Sequence, residues 1–330
     1  MEKIAFIIGE TFLYWNSLIL MLACAAAMGL FLFFYLRKRG NGLSAAILVP
    51  LSVAFSLVLS RAVHWYCRAD AYSSFSDALT DFTGGGYALA GVFAGCILAA
   101  VLLRLLRVVK NLPMALDCMA LAGCAGICVG RLACFYTPAD RGILLENIRS
   151  LPLAWPVVNS VTGEVQWRLA TFVLQSICAG LIFLALSIWY LTGQRGKKRK
   201  VRDGDAALLF LTLYGATQVL LDSTRYDSLF LRSNGFVSLV QILAAAGLII
   251  PGILFSVRLV RRRRFRWWYV PMWTVFLALA GGAGFMEYWV QRHGDQVVFS
   301  YGVMGACLGL MVVMVCLLRQ LAGKKRETTY

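Results

Sequence analysis

Nine long apolar segments divide this chain, at residues 12–36, 44–60, 87–106, 112–130, 168–192, 206–222, 236–257, 269–286 and 302–318. A spanning helix needs about 20 mostly apolar residues to cross about 30 Å of hydrocarbon. Inside lipid, backbone polar groups must find partners within the helix itself. The segments therefore predict an all-α, polytopic integral membrane protein with about nine transmembrane helices. Composition agrees, since 60% of the 330 residues are hydrophobic and 15% are charged. A soluble domain carries about 25% charged residues.

The net charge of +16 first suggests nucleic acid, but its placement argues otherwise. Basic residues cluster as Arg37–Arg39, then Arg104, Arg107 and Lys110, then Arg195 through Arg202. They recur in Arg258 through Arg266 and in Arg319 with Lys324–Arg326. These groups of three, three, six, six and four hold 22 of the 32 basic residues and follow the odd-numbered spans. By the positive-inside rule those loops are cytoplasmic, the N-terminus lies outside and the C-terminus inside. Runs such as 197–200 and 261–264 abut spans, where they meet anionic lipid headgroups. No nucleic-acid partner is expected. Arg37–Arg39 follows the first apolar stretch, which reads as an uncleaved span rather than a signal peptide.

Eight of the ten cysteines, among them Cys24, Cys118 and Cys316, fall inside apolar segments, where a free thiol behaves as a small hydrophobe. There is no CxxC pair, and His64 and His293 are the two histidines. Neither a cofactor nor a metal is expected.

Polar and ionisable residues near spans mark candidate sites, and four stretches on the predicted outer side collect them. They are Ser60-Arg61-Ala62-Val63-His64-Trp65, the glycine-rich run 84–95, Gly130 through Phe135 continuing to Asp140-Arg141-Gly142, and Tyr214 through Arg225. Glycines at the mouth of a span permit tight turns or close helix packing. Tyr214, Gln218, Asp222 and Arg225 are spaced to lie on one helical stripe, which must face protein or a wet cavity. With Arg61 and Arg131 on the same side, the stripe points to an anionic lipid headgroup, because the arginine fork pairs with phosphate oxygens. Asp117 sits near the start of its span, where a carboxylate gains from the helix dipole. Glu287, His293 and Asp295 are expected in an exposed outer loop.

In this order the four stretches resemble bacterial prolipoprotein diacylglyceryl transferases. The resemblance rests on Ser60 to His64, on Gly85 to Gly95, on Asp117 with Gly130-Arg131-Leu132-Ala133-Cys134-Phe135 and Gly142, and on Tyr214-Gly215, Gln218, Asp222 and Arg225. The stretch from Gly235 to Gln241 extends it. It implies a multi-pass enzyme of the bacterial plasma membrane. That enzyme moves a diacylglyceryl group from phosphatidylglycerol, or a related anionic phospholipid, to the lipobox cysteine of a prolipoprotein.

By the same resemblance Arg131 holds the lipid phosphate, Arg61 and Arg225 add positive charge, and Gln218 takes the place of a substrate-binding arginine. Asp222 or Tyr214 orders loss of the thiol proton. The chain departs from the family pattern at Asn16, Ala90, Cys134 and Gln218. Residues 1–258 would form the seven-helix family domain, and 259–330 two added spans with a basic tail. The segment 134–167 is expected outside, shaping entry for a protein substrate or forming a mobile cover. An alternative reading is a catalytically inactive lipid-binding or assembly partner with the same fold. A small-solute transporter is disfavoured, because the sequence carries no evident repeat.

Overall fold

The structure, a computed structural model, describes residues 4–8, 11–80, 86–146, 153–159, 162–193, 201–231, 234–294 and 296–323. Gly84, Gly85, Ser150, Pro152, Ser160, the run 197–200, Asp295 and Lys324–Arg326 lie outside the described residues. A hairpin of β1 (Ile4–Ile8) and β2 (Thr11–Tyr14) precedes α1 (Trp15–Arg37) and α2 (Gly42–Cys67). The short α3 (Phe75–Thr80) leads to α4 (Leu89–Leu105) and α5 (Leu112–Arg131). A second hairpin, β3 (Ala154–Val158) and β4 (Val165–Leu169), enters α6 (Thr171–Thr192) and α7 (Asp205–Ser223). A third, β5 (Phe230–Leu231) and β6 (Asn234–Ser238), enters α8 (Leu239–Arg263), followed by α9 (Tyr269–His293) and α10 (Val297–Gly323).

Among the described residues, eight helices are long and apolar enough to cross a membrane: α1, α2 and α5 to α10. The predicted third span is the exception, because α4 has 17 residues. That is about 25 Å of helix, short of a typical hydrocarbon core. Left-handed backbone brackets it, at Gly86 with φ 81° and at Arg107 with φ 61°. The segment 134–167, expected as a loop, carries most of the β3–β4 hairpin, whose second strand runs on to Leu169.

The chain divides into two compact units. The first comprises Met1–Phe210 and Thr224–Val240. Here α2 and α4 approach closely through Gly91 and Gly95, one helical turn apart. A Cβ at Gly91 would press on the backbone of Leu59 and Ser60, and one at Gly95 on that of Ser56, in each case nearer than 3.0 Å. Gly95→Leu is therefore expected to hold the two helices apart at a cost of about 1–3 kcal/mol. Thermal unfolding of the detergent-purified protein measures it, and an unchanged midpoint refutes the packing argument.

Asp117 is fully buried in α5, but it does not serve its own helix. Asn111 caps α5, its side chain accepting from the Met114 amide at 3.2 Å. Asp117 instead accepts from the Gly204 and Ala207 amides, each at 2.7 Å, at the start of α7. These are amides that a helix N-terminus leaves without partners of its own, and a carboxylate there is favoured by the dipole. Asp117→Ala is expected to destabilise this unit by about 3 kcal/mol, since two buried hydrogen bonds are lost at once. Hydrogen exchange at the first turn of α7 should rise with the loss of stability. Protection left intact there refutes the anchor.

The second unit comprises Leu211–Ser223 and Gln241–Tyr330. In it α7 lies against α8 at Gly215, where a Cβ would meet the Ala244 carbonyl and the Gly247 backbone. Gly252 of α8 faces Trp273, Phe276 and Val315, and Trp273 donates to the Ser256 hydroxyl at 3.2 Å. Leu248, Phe255, Phe276, Met304 and Met311 fill the space between these helices.

Candidate active site

Arg131 is the last residue of α5. A tight helical turn over Leu132–Tyr136 then reverses the chain and returns Asp140 towards it. Asp140 adopts a left-handed conformation, φ 57°, which aspartate tolerates better than most residues. In this pose its amide donates to the Asp227 carboxylate at 2.8 Å and its side chain turns inward, 6% of the residue remaining exposed. One carboxylate oxygen pairs with Arg131 Nη1. The other pairs with Arg225 Nη2 at 2.7 Å. The Cys134 thiol donates to the first oxygen at 3.3 Å.

Arg225 arrives from a part of the chain 94 residues away. It stands just beyond α7, in an antiparallel bridge with Gly142. Its Nε also donates to Asp227 at 3.1 Å. Nothing larger than hydrogen fits at Gly142, because a Cβ there would collide with the Thr171 hydroxyl and the Leu169 side chain. Thr171 and Thr224 share a hydrogen bond at 3.1 Å, which holds α6 to the segment carrying Arg225.

Burial pushes the Asp140 carboxyl up, but Arg131 and then Arg225 outweigh it and hold the group down at about 2. Asp140 is therefore charged throughout the physiological range. Arg141, 2% exposed, points the other way. Its Nη2 donates to the Cys134 and Thr137 carbonyls at 2.7 and 2.8 Å. Its guanidinium lies 4.4 Å from the centre of the Phe172 ring and 5.7 Å from that of Trp155. Arg141 thus fixes the turn that presents Asp140, with aromatic faces replacing a counter-ion. Three guanidinium groups (Arg131, Arg141, Arg225) and two carboxylates (Asp140, Asp227) leave one positive charge in excess.

The remaining sequence-derived candidates are placed differently. Arg61 is buried in α2, donating to the Ala78 carbonyl at 2.7 Å and the Gly86 carbonyl at 3.2 Å between the rings of Tyr72 and Tyr87. In these contacts it ties α2 to α3 and to the glycine-rich approach to α4. Tyr214, Gln218 and Asp222 are buried on α7, within the second unit. The expected four-residue stripe is shorter than its spacing suggests. The helix ends at Ser223, so Arg225 belongs to the bridge with Gly142 and not to the helix face.

The sequence places Asp140 and Arg141 in a candidate stretch without assigning either a role, and it does not single out Asp227. An acid beside an arginine at the end of a motif was a usable signal, but nothing local tells which arginine the acid will meet.

Comparison with known proteins agrees with this arrangement of motifs. The profile of the family described as Prolipoprotein diacylglyceryl transferase matches residues 3–251. The phosphatidylglycerol–prolipoprotein diacylglyceryl transferase of Streptococcus equi subsp. zooepidemicus is 26% identical over 257 residues, covering 74% of this chain and 92% of the relative. The enzyme of that name from Clostridioides difficile is 24% identical over 270 residues, covering 80% of this chain and 98% of the relative. That from Streptococcus pyogenes serotype M3 is 26% identical over 274 residues, covering 80% and 96%.

Proposed function

The chain belongs to the prolipoprotein diacylglyceryl transferase family, and we propose on that premise that it lipidates prolipoproteins, with Arg131 and Arg225 as the seat of the lipid phosphate. The observation that carries the reading is their convergence, from distant parts of the chain, on the two oxygens of one carboxylate. Two guanidinium groups so spaced match two oxygens of a phosphodiester equally well. Arg61 adds charge to the same unit.

In the reaction the sulfur of the lipobox cysteine attacks the glyceryl carbon of phosphatidylglycerol. An S–C bond forms and a C–O bond breaks. The bonding pair leaves on the phosphate oxygen, so glycerol phosphate departs with an added negative charge, and the thiol proton is released to a base. Arginines already in place stabilise that developing charge without reorganising at the moment of reaction. The sulfur attacks as thiolate, so the step also needs a base for the thiol proton. The protein sits in the bacterial plasma membrane, and the loop charges favour an outside N-terminus and a cytoplasmic C-terminus, an arrangement in which the 17-residue α4 crosses as the ninth span.

A catalytically inactive lipid-binding partner is the second reading, favoured by one observation: Asp140 already occupies both arginines. The two readings separate in a reconstituted assay. Full-length protein in phosphatidylglycerol nanodiscs is given a synthetic lipobox peptide, and mass spectrometry follows the peptide. A thioether-linked diacylglyceryl product supports the enzyme. No product from folded protein overturns it in favour of the binding partner.

A further inference from the structure

Residues beyond 251 lie outside the family match, yet α9 and α10 are joined to motif residues by polar contacts. Glu287, expected in an exposed loop, lies inside α9 with 6% of its surface exposed. Its Oε1 accepts from Gln241 of α8 at 2.8 Å and from Gln291 one turn along α9. Gln241 closes the last family motif in the sequence. The Tyr301 hydroxyl of α10 donates to the Ser223 carbonyl at 3.2 Å, next to Asp222 on α7. All these residues belong to the second unit.

Glu287 Oε2 is buried and has no hydrogen-bond partner among the described residues. Leaving a carboxylate oxygen so placed costs about 1–3 kcal/mol or more, and an ionisable residue kept inside a span implies a partner. A carboxylate only accepts when ionised, so the missing group is a donor. Glu287 stands six residues before the end of α9. That places it about 9 Å along the axis from the helix end, a depth that a lipid headgroup can reach more readily than a soluble solute.

We propose that Glu287, held by Gln241 and Gln291, is the centre of a second lipid-headgroup site, its Oε2 accepting from a headgroup that carries O–H or N–H donors. Two common headgroups supply this chemistry, the terminal glycerol of phosphatidylglycerol and the ammonium of phosphatidylethanolamine. The quaternary ammonium of phosphatidylcholine has no donor and serves as control. The site does not depend on transfer chemistry.

Full-length protein in nanodiscs of each lipid mixed with phosphatidylcholine is delipidated stepwise, and the retained lipid is counted by native mass spectrometry. In the Arg131→Ala background, which empties the first lipid site, the protein should retain one donor-bearing lipid over phosphatidylcholine by ~10-fold, and adding Glu287→Gln should erase that preference. Retention of phosphatidylglycerol names the hydroxyl source, and of phosphatidylethanolamine the ammonium source. No preference in Arg131→Ala overturns the site, and so does a preference unchanged when Glu287→Gln is added. Should that variant fail to fold, Glu287→Asp keeps the acceptor one methylene back, and the Arg131→Ala comparison still decides. Loss of transfer in Arg131→Ala tests the proposed function, and loss of the lipid preference on adding Glu287→Gln tests this site, so failure of one is distinguishable from failure of the other.

Discussion

Arg131→Ala is expected to lower transfer to a lipobox peptide by ~10²–10³-fold, with most of the loss in kcat. Removing one preorganised donor from a developing oxyanion costs this much in enzymes that use such donors, and Arg131 carries a full charge as well. Arg225 keeps its contacts to Asp140 and Asp227 in the variant, so the turn keeps one of its two clamps. Arg131→Lys keeps the charge but not the fork, and recovers part of the rate at most. A merely structural arginine would lower the amount of folded protein and leave the rate per folded molecule intact. Counting folded protein by gel filtration beside the kinetics separates the two. A rate per folded molecule within a few-fold of wild type would remove Arg131 from the chemistry.

Much of this architecture was legible before any coordinates, because the constraint is coarse. Apolar length fixes where a span falls, and the described helices follow the nine segments closely. The third span shortens because Gly86 and Arg107 take left-handed backbone at its two ends, a conformation that hydropathy does not encode. The β3–β4 hairpin had its own signal: Ala154–Val158 and Val165–Leu169 are rich in Val, Trp and Leu and flank a turn at Gly163, with φ 73°. Span-scale reading passed over it.

Glu287 was assigned to a loop because the span was ended at residue 286. Yet Tyr288-Trp289-Val290 continue the apolar pattern for a further turn, and α9 runs on to His293. Asp117 shows the other limit. Its helix-terminus role is real but belongs to α7, 87 residues away by the Gly204 contact. The site divides in the same way. Arg131 could be singled out from its motif, whereas its meeting with Arg225 through Asp140 is a tertiary fact that no local spacing contains.

Asp140→Asn carries the second large effect, and its two readouts move in opposite directions. The carboxyl is held at about 2 when folded, against 3.8 for the ordinary group. A depressed folded value means that the ionised form stabilises the fold. That contribution is fully present above about pH 4 and is lost as pH falls towards 2. It amounts to about 2 kcal/mol, and the asparagine variant should lose it at neutral pH.

In thermal unfolding, the variant is therefore less stable than wild type at pH 7, and the gap closes as the wild type is acidified. Lipid binding should run the other way. With the internal anion gone, Arg131 and Arg225 are left facing each other without a shared counter-charge, and a phosphodiester relieves that repulsion better than it can displace a carboxylate. Phosphatidylglycerol should bind the variant several-fold more tightly, measured by titration into nanodiscs of phosphatidylcholine. If stability and lipid affinity fall together, Asp140 is a clamp that shapes the pocket. If stability falls while affinity rises, the carboxylate occupies the phosphate's own place, and every lipid that enters must first displace it.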